Sequence, residues 1–528
     1  MLKRLIPKPA VLSAAIMACA IHATAFGDGQ SDSTKSKAAA KAEAAKKKAE
    51  AAEEAAKKSA EAEKKLHESF WQRWDEAFRE QMGTPCYVPP APTPAPDGKS
   101  DPKSAPAPAN ARRGLPAPFD SPPYPTGEWQ IGGTPIIGDP GIVPAYPLMQ
   151  AIYDGPNGAA IQKSRIQLYG WEDFSGNISS SHNVSSTAQN GNFPVIYDER
   201  PNRIEQNQFV LTLERVPDEA QTDHIDWGFR IAPVYGLDYR FMISRGFLSN
   251  QLLNRNDYMG LDIPMMYFDL YIPNIFMGMN IRVGRIISEA DIEAQLAPNN
   301  LMSTHSLLYG FDPYTDWGVF TTTKLTPNWT IQLGIDAGND VAPWENDPGR
   351  QATGTAMIQY ISSNNKFSFY GGANSFNKGN YGYNNLQQYV GTFTYKFNEF
   401  VWTSQETWYM YMKNVSNGPT AAVPFQSGSF PVHPGYAAEF ATLNYTMFRM
   451  ADGLFFTVRN EFFNDMDGSR TGFISKYSEH SIGLTWWPNK LLTIRPELRY
   501  DRAYDALAYD NGTRHGQLVL SCDVVVHF

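Results

Sequence analysis

From residue 163 to the end of the chain, apolar and polar residues alternate with a period of two, the repeat of a strand with one apolar face. Trp329, Ile331, Leu333, Ile335 and Ala337 share one face, and Thr330, Gln332, Gly334 and Asp336 share the other. The stretch 224–231 sets Ile225, Trp227, Phe229 and Ile231 against His224, Asp226, Gly228 and Arg230. In 478–487, His480, Ile482, Leu484 and Trp486 oppose Glu479, Ser481, Gly483 and Thr485. In 491–501, Leu492, Ile494, Leu498 and Tyr500 oppose Thr493, Arg495, Glu497, Arg499 and Asp501. The last segment places Leu518, Leu520, Cys522, Val524, Val526 and Phe528 against Gln517, Asp523 and His527. About sixteen such segments start near 165, 205, 224, 264, 278, 315, 328, 353, 365, 386, 400, 436, 453, 478, 491 and 517. Turn signals such as Asn339-Asp340, Asp465-Met466-Asp467-Gly468, Pro488-Asn489-Lys490 and Asp510-Asn511-Gly512 separate them. The spacing of about 23 residues suits spanning strands of roughly 9–11 residues, with short turns at one end and longer loops at the other.

The chain before 163 follows other patterns. Residues 1–25 read as a secretory signal peptide. Lys3, Arg4 and Lys8 precede the short apolar run Ala10–Ile21, and Ala23-Thr24-Ala25 offers a small-x-small cleavage site. Ile16-Met17-Ala18-Cys19 is a weaker, lipobox-like alternative. Residues 26–82 are rich in Ala, Lys and Glu, all strong helix formers. Glu43/Lys47, Glu53/Lys57, Glu54/Lys58 and Glu61/Lys65 are i,i+4 pairs in the favourable order. This is a helical rod, read either as a solvated spacer or as a coiled coil. Leu66, Phe70, Trp71, Trp74 and Phe78 supply an apolar face for self-association. Residues 83–150 form a Pro-rich linker, with eighteen prolines between Pro85 and Pro147, and favour an extended polyproline conformation.

Composition narrows the class. A mean hydropathy of -0.40 rules out a bundle of membrane helices. A net charge of -9 argues against a nucleic-acid partner. Three cysteines are too few for a disulfide framework. What remains is the direction of the apolar face, toward a soluble core or toward lipid. Export, a polar face with few lysines, and aromatics near strand ends (Trp402, Trp408, Tyr409, Tyr411, Trp486, Trp487, Tyr500, Tyr504) favour lipid. The predicted fold is all-β, a transmembrane antiparallel up-and-down β-barrel of about 16 strands (range about 12–18) over 163–528, preceded by the rod and the linker. Lipid forces closure, because an open edge leaves backbone N–H and C=O groups unpaired.

Several stretches resemble the β-barrel porin-2 (OmpL-like) family. They include Phe268-Asp-Leu-Tyr-Ile-Pro273, Asn280-Ile-Arg-Val-Gly-Arg285, Ala297-Pro-Asn-Asn-Leu-Met-Ser-Thr-His-Ser306 and Thr315-Asp-Trp-Gly-Val-Phe320. Glu461-Phe-Phe-Asn-Asp-Met-Asp-Gly-Ser-Arg470, Ile494-Arg-Pro-Glu-Leu-Arg-Tyr-Asp501 and Asn511-Gly-Thr-Arg514 continue the likeness over nearly all of 163–528. The resemblance implies a bacterial outer-membrane barrel and no particular substrate. The terminal strand ends on Phe528, with Val526 and Val524 in alternate positions, and resembles the signal read by the barrel-assembly machinery.

Inward polar faces make Arg230, Arg282, Arg459, Glu461, Arg495, Glu497, Arg499 and Asp501 the candidate pore-lining residues. Arg459/Glu461, Arg495/Glu497 and Arg499/Asp501 are i,i+2 pairs on one face. Such a ladder either sets up a transverse field across a wet pore or braces the barrel as an ion-pair network. Asp465-Met-Asp467-Gly468 lacks the distal acid of a calcium loop. No histidine shows metal-ligand spacing, and neither a G-x-S-x-G elbow nor a P-loop occurs. No enzyme activity, metal or cofactor is therefore expected. The predicted function is an outer-membrane porin passing small hydrophilic solutes or ions by diffusion. The alternative is a non-conducting barrel whose rod ties the outer membrane to the periplasm or cell wall. Expected partners are outer-membrane lipid, the barrel-assembly machinery, solutes, and sister copies in a homotrimer joined by the N-terminal helix.

Overall fold

The computed structural model describes residues 69–84, 119 and 146–528, apart from 185–190, 220, 288–290, 346–351, 365, 379–385, 399 and 414–436. Before residue 69 it describes only 46–48, 50, 51, 54, 65 and 68. The signal peptide, most of the rod and nearly all of the Pro-rich linker thus lie outside the described residues. Among the described positions of that first stretch, 46–48, 50, 51, 54 and 65 are helical, and Lys46 Nζ lies 3.8 Å from Glu50 Oε1.

Helix α1 (Phe70–Met82) starts at a capping box, in which Ser69 N donates to Gln72 Oε1 (2.8 Å) and Gln72 N to Ser69 Oγ (3.3 Å). Phe78 and Met82 pack half-buried against the apolar cluster around Tyr146. Arg73 and Ala77 are buried, Arg73 Nε donates to Ala151 O at 2.9 Å, and Trp71 stays 71% exposed. Two short helices, α2 (Pro147–Tyr153) and α3 (Gly158–Ser164), then lead into the sheet. No described helix is long and apolar enough to cross a membrane.

Sixteen strands follow. They are β1 (Ile166–Ser179), β2 (Ile204–Arg215), β3 (Asp226–Gly236), β4 (Gly260–Ile272), β5 (Met279–Ile287), β6 (Thr315–Lys324), β7 (Trp329–Asp336) and β8 (Thr353–Ile361). The second half comprises β9 (Phe367–Phe376), β10 (Gln387–Lys396), β11 (Val401–Met412), β12 (Ala437–Ala451), β13 (Leu454–Asp465), β14 (Ser475–Trp486), β15 (Leu492–Ala503) and β16 (Gly516–His527). Each pairs antiparallel with its sequence neighbours, and β1 pairs with β16, closing the barrel. Closure leaves the sheet no free edge, as lipid requires. Gly170 N and Phe528 O, and Phe528 N and Gly170 O, extend the seam at 3.2 and 3.0 Å. A Cβ on Gly170 would lie 2.7 Å from the Phe528 ring, so only glycine leaves room for that terminal aromatic.

The connections 216–225, 273–278, 325–328, 362–366, 397–400, 452–453 and 487–491 are short, and the alternate ones are mostly longer. Both ends of the barrel sequence lie at the short-turn end, where Tyr146 stacks on His527 with ring centroids 4.7 Å apart. The two-residue turn Asp452-Gly453 depends on Gly453 at φ +70°.

The outer face is apolar over most of the wall. Leu333, Ile335, Val283, Phe268, Ile482, Leu484, Leu498, Leu518 and Leu520 are all exposed there. Period two holds on β11 and β12, but through the middle of both strands the polarity of the two faces is reversed. Trp402, Trp408, Met410, Leu443, Tyr445 and Met447 point inward and are buried, while Thr403, Gln405, Thr407, Thr442, Asn444 and Thr446 point outward. Trp402 and Trp408 therefore do not belong to a lipid girdle. They pack among inner apolar groups that include Phe455 and Phe463.

Candidate pore constriction

The alternation that builds β13–β16 sends every second side chain inward, and there the charged residues concentrate. Arg459, Glu461, Glu479, Arg495, Glu497, Arg499, Asp501 and Asp523 all lie on that inner face and are buried. The segment 291–312, between β5 and β6, folds inside the barrel against them. It contains a 3-10 turn, Ala297–Asn299, and one α-helical turn, Leu307–Gly310, whose start is capped by Ser306.

Irregular backbone away from water must find partners for its N–H and C=O groups, and the charged wall supplies them. Glu497 accepts from Thr304 N (2.8 Å) and Thr304 Oγ1 (2.7 Å). Glu461 accepts from Leu307 N at 2.9 Å and also from Leu308 N. Arg495 donates to Ala297 O and Asn300 O, both at 2.6 Å, and Arg499 donates to His305 O. From β11, Glu406 accepts from Ile292 N at 2.7 Å.

Arg459 is the hub. Its Nε lies 3.2 and 3.1 Å from the two Glu479 oxygens, and its Nη2 2.9 Å from Glu497 Oε1. Its Nη1 donates to Glu293 Oε1 (3.0 Å) and Thr304 O (2.5 Å). Three carboxylates thus share one guanidinium with no exposed surface. Breaking such a buried cluster at one member leaves uncompensated charge, so the segment and the wall depend on each other.

The remaining candidates pair locally. Arg230 donates from Nε to Glu214 Oε2 at 2.7 Å. Arg282 grips Asp269 at 2.8 and 3.0 Å and sits 3.7 Å over the Tyr267 ring. Of the i,i+2 pairs, Arg499 and Asp501 do meet, at 2.8 and 3.0 Å. Arg459 and Glu461 have no mutual bond, because Arg459 turns to Glu479 on the neighbouring strand. Arg495 likewise pairs with Asp523, its cross-strand partner in the β15–β16 register. Glu479 and Asp523 carry a legible signal, since both stand on predicted inward positions. Glu293 and Thr304 carry none, because no periodicity reaches an irregular segment.

Other segments add to the filling. Phe311 contacts Phe193 from the β1–β2 connection and Phe463 from β13, at 6.4 and 5.5 Å between centroids. Phe119, from the Pro-rich stretch, is buried on the inner wall. Its N–H donates to Gln332 Oε1 at 2.9 Å, and its ring meets Tyr370 edge-on at 5.2 Å.

Burial pushes the Glu293 carboxyl up, but Arg459, His305 and Tyr445 outweigh it and hold it at about 2. Burial also pushes the His305 imidazole below its ordinary value. The stabilisation from ionised Glu293 is full above its ordinary value of about 4.3 and is lost as pH falls toward about 2. Conductance steps in planar bilayers are therefore expected to grow over that acid range as the segment loosens. Glu293→Gln should show the larger step already at neutral pH. Steps of constant size across the range count against this tether.

The family whose description reads "Putative beta-barrel porin-2, OmpL-like" matches residues 166–528. No curated protein matches the chain. Among solved structures, the outer membrane channel DcaP of Acinetobacter baumannii is similar at 11% identity and TM-score 0.44, covering 69% of this chain and 97% of that one. The anion-selective porin from Comamonas acidovorans gives 10% identity and TM-score 0.44, covering 69% and 99%. A loop deletion mutant of OmpT from Vibrio cholerae gives 9% and 0.42, covering 69% and 99%. These likenesses are of barrel to barrel, and the assignment rests on the family match. A closed sixteen-strand barrel and that match over all its strands lead to one conclusion: the chain belongs to the β-barrel porin-2, OmpL-like family of outer-membrane porins.

Proposed function

We propose that this porin passes small hydrophilic solutes or ions by diffusion, through a lumen narrowed by segment 291–312. The carrying observation is the closed barrel whose charges sit inside, concentrated on β13–β16 and bonded to that segment. Arg459, Glu461, Arg495, Glu497, Arg499 and Asp501 form one side of the narrowing in this reading, and Arg230 and Arg282 the wall beyond it. Fixed charges of both signs beside a narrow passage orient polar solutes and set ion preference.

The barrel sequence begins and ends at the short-turn end, which supports a periplasmic position for the rod and linker, after removal of the signal peptide. From there the rod could join copies in a trimer. Phe528, Val526 and Val524 would serve as the assembly signal; the outward, alternating Val524 and Val526 support this reading.

A second reading is favoured by two observations. Phe119 is seated on the inner wall, and Arg459, Glu479, Arg499 and Asp501 have no exposed surface. In that reading the barrel is plugged and serves to tether the outer membrane. Purified full-length protein in planar bilayers distinguishes the two. Small stepwise conductance is the expected result. Electrical silence at protein levels that insert well would replace diffusion with tethering.

A further inference from the structure

We propose that the outward face of β11–β14 is a contact surface between two copies of this barrel, buried within the membrane. The inference rests on this wall alone and does not depend on whether the lumen conducts.

Lipid offers no hydrogen-bond partners, so outward positions of a spanning strand are normally apolar. Here the strand registers place Gln405 opposite Asn444, Asn444 opposite Asn460, and Asn460 opposite His480. Four adjacent strands thus carry an unbroken row of amides and an imidazole, facing away from the lumen. Threonines flank it above and below, with Thr403 opposite Thr446 and Thr407 opposite Thr442. The row lies in the strands' interior, and outward aromatics bound it: Tyr409 and Phe440 toward the loops, Phe448 and Phe456 toward the turns.

The patch satisfies itself only in part. Gln405 Nε2 donates to Thr442 Oγ1 at 2.6 Å, and Asn444 Nδ2 reaches Thr403 Oγ1 at 3.1 Å. His480 Nδ1 lies 2.8 Å from Asn460 Oδ1. Among the described residues, Asn460 Nδ2 and His480 Nε2 have no partner, although both side chains are exposed. A smaller polar spot on the outer wall, Glu172 with Gln206 at 2.6 Å, is closed on itself.

Three considerations select the occupant. At this depth no soluble partner reaches the row, so the partner is itself embedded in the membrane. It must also present hydrogen-bonding groups at the same height, which acyl chains lack. Finally, Asn, Gln, Thr and His each both donate and accept, so the surface is complementary to itself. A second copy of this chain meets all three conditions, and repeated pairing of such a surface is how symmetric oligomers form. The reversed middle of β11 and β12 agrees, because Trp408, Leu443, Tyr445 and Met447 face the interior while Gln405, Thr407, Thr442 and Asn444 face outward.

The test is site-specific photo-crosslinking of the full-length protein in native outer membranes. The photoreactive residue p-benzoylphenylalanine replaces Asn460, Asn444 in a second variant, and Leu333 on another part of the wall as a control. Irradiation is expected to give an adduct of twice the mass from position 460 or 444, containing peptides of this chain only, and at least fivefold less from 333. Assembly of each variant is read from heat-modifiable gel mobility, and the 444 variant answers if the 460 variant does not assemble. The proposal is overturned by adducts to a different protein, by no protein adduct from either position, or by equal yields from 333.

Discussion

Arg459→Ala is expected to destabilise the barrel by about 3–5 kcal/mol, the cost of stranding buried partners of an ion cluster. The guanidinium is the only cation bonded to Glu479 among the described residues, and it also holds Glu293 and Glu497. Its removal leaves three carboxylates in one dry region, together with the free carbonyl of Thr304. Arg499 is nearby but is engaged by Asp501, 2.8 Å away, and cannot replace it. Two readouts should move together. The temperature at which the folded barrel converts to its unfolded gel mobility should drop, and conductance should become larger or noisier as segment 291–312 loses its anchor. Arg459→Lys should rescue only partly, since an ammonium cannot span three partners with a planar fork. An alanine variant with unchanged midpoint and unchanged current would show that the cluster anchors nothing.

Replacing residues 294–306 with a Gly/Ser chain of equal length should enlarge the current several-fold. These residues supply the carbonyls of Ala297 and Asn300 to Arg495, and the N–H and hydroxyl of Thr304 to Glu497. A chain without those side chains also loses Leu301 and Met302 from the inner apolar cluster. It has little reason to stay folded on the wall, and its conformational entropy favours leaving. The strand ladders are untouched, so insertion and heat-modifiability should persist. Single-channel recording of the variant beside the parent decides it. Equal step sizes would place the narrowest point elsewhere, with Phe119 and its neighbours on β7 and β9 the next region to examine.

Most of the barrel is legible in the sequence. Strand starts at 315 and 353 coincide with β6 and β8, those at 165, 205, 278, 328, 386, 400, 436, 453, 491 and 517 fall one residue from the observed ones, and those at 224, 264, 365 and 478 fall two to four residues away. Period two is a local property of the backbone, so the side chains themselves record it. The inward placement of Arg230, Arg282, Arg459 and Arg495 was legible for the same reason. The reversal on β11 and β12 was not. Trp402 and Trp408 alternate with Thr403 and Thr407 as regularly as any other strand, and alternation alone does not say which side meets lipid.

What the sequence determined by itself, then, is a strand count near sixteen, the approximate strand ends and the two sets of side chains each strand separates. Tertiary structure decided the rest. It brought Glu293 and Thr304 to Arg459 across more than 150 positions of chain. It turned Arg459 away from Glu461 toward Glu479, and it put Trp402, Trp408, Leu443, Tyr445 and Met447 of β11 and β12 on the inner face. The physical reason is that a strand's pattern specifies two faces. The medium at each face is set by the segment that folds inside, by lipid, or by a neighbouring molecule. Those are supplied by residues far away in the chain or outside it.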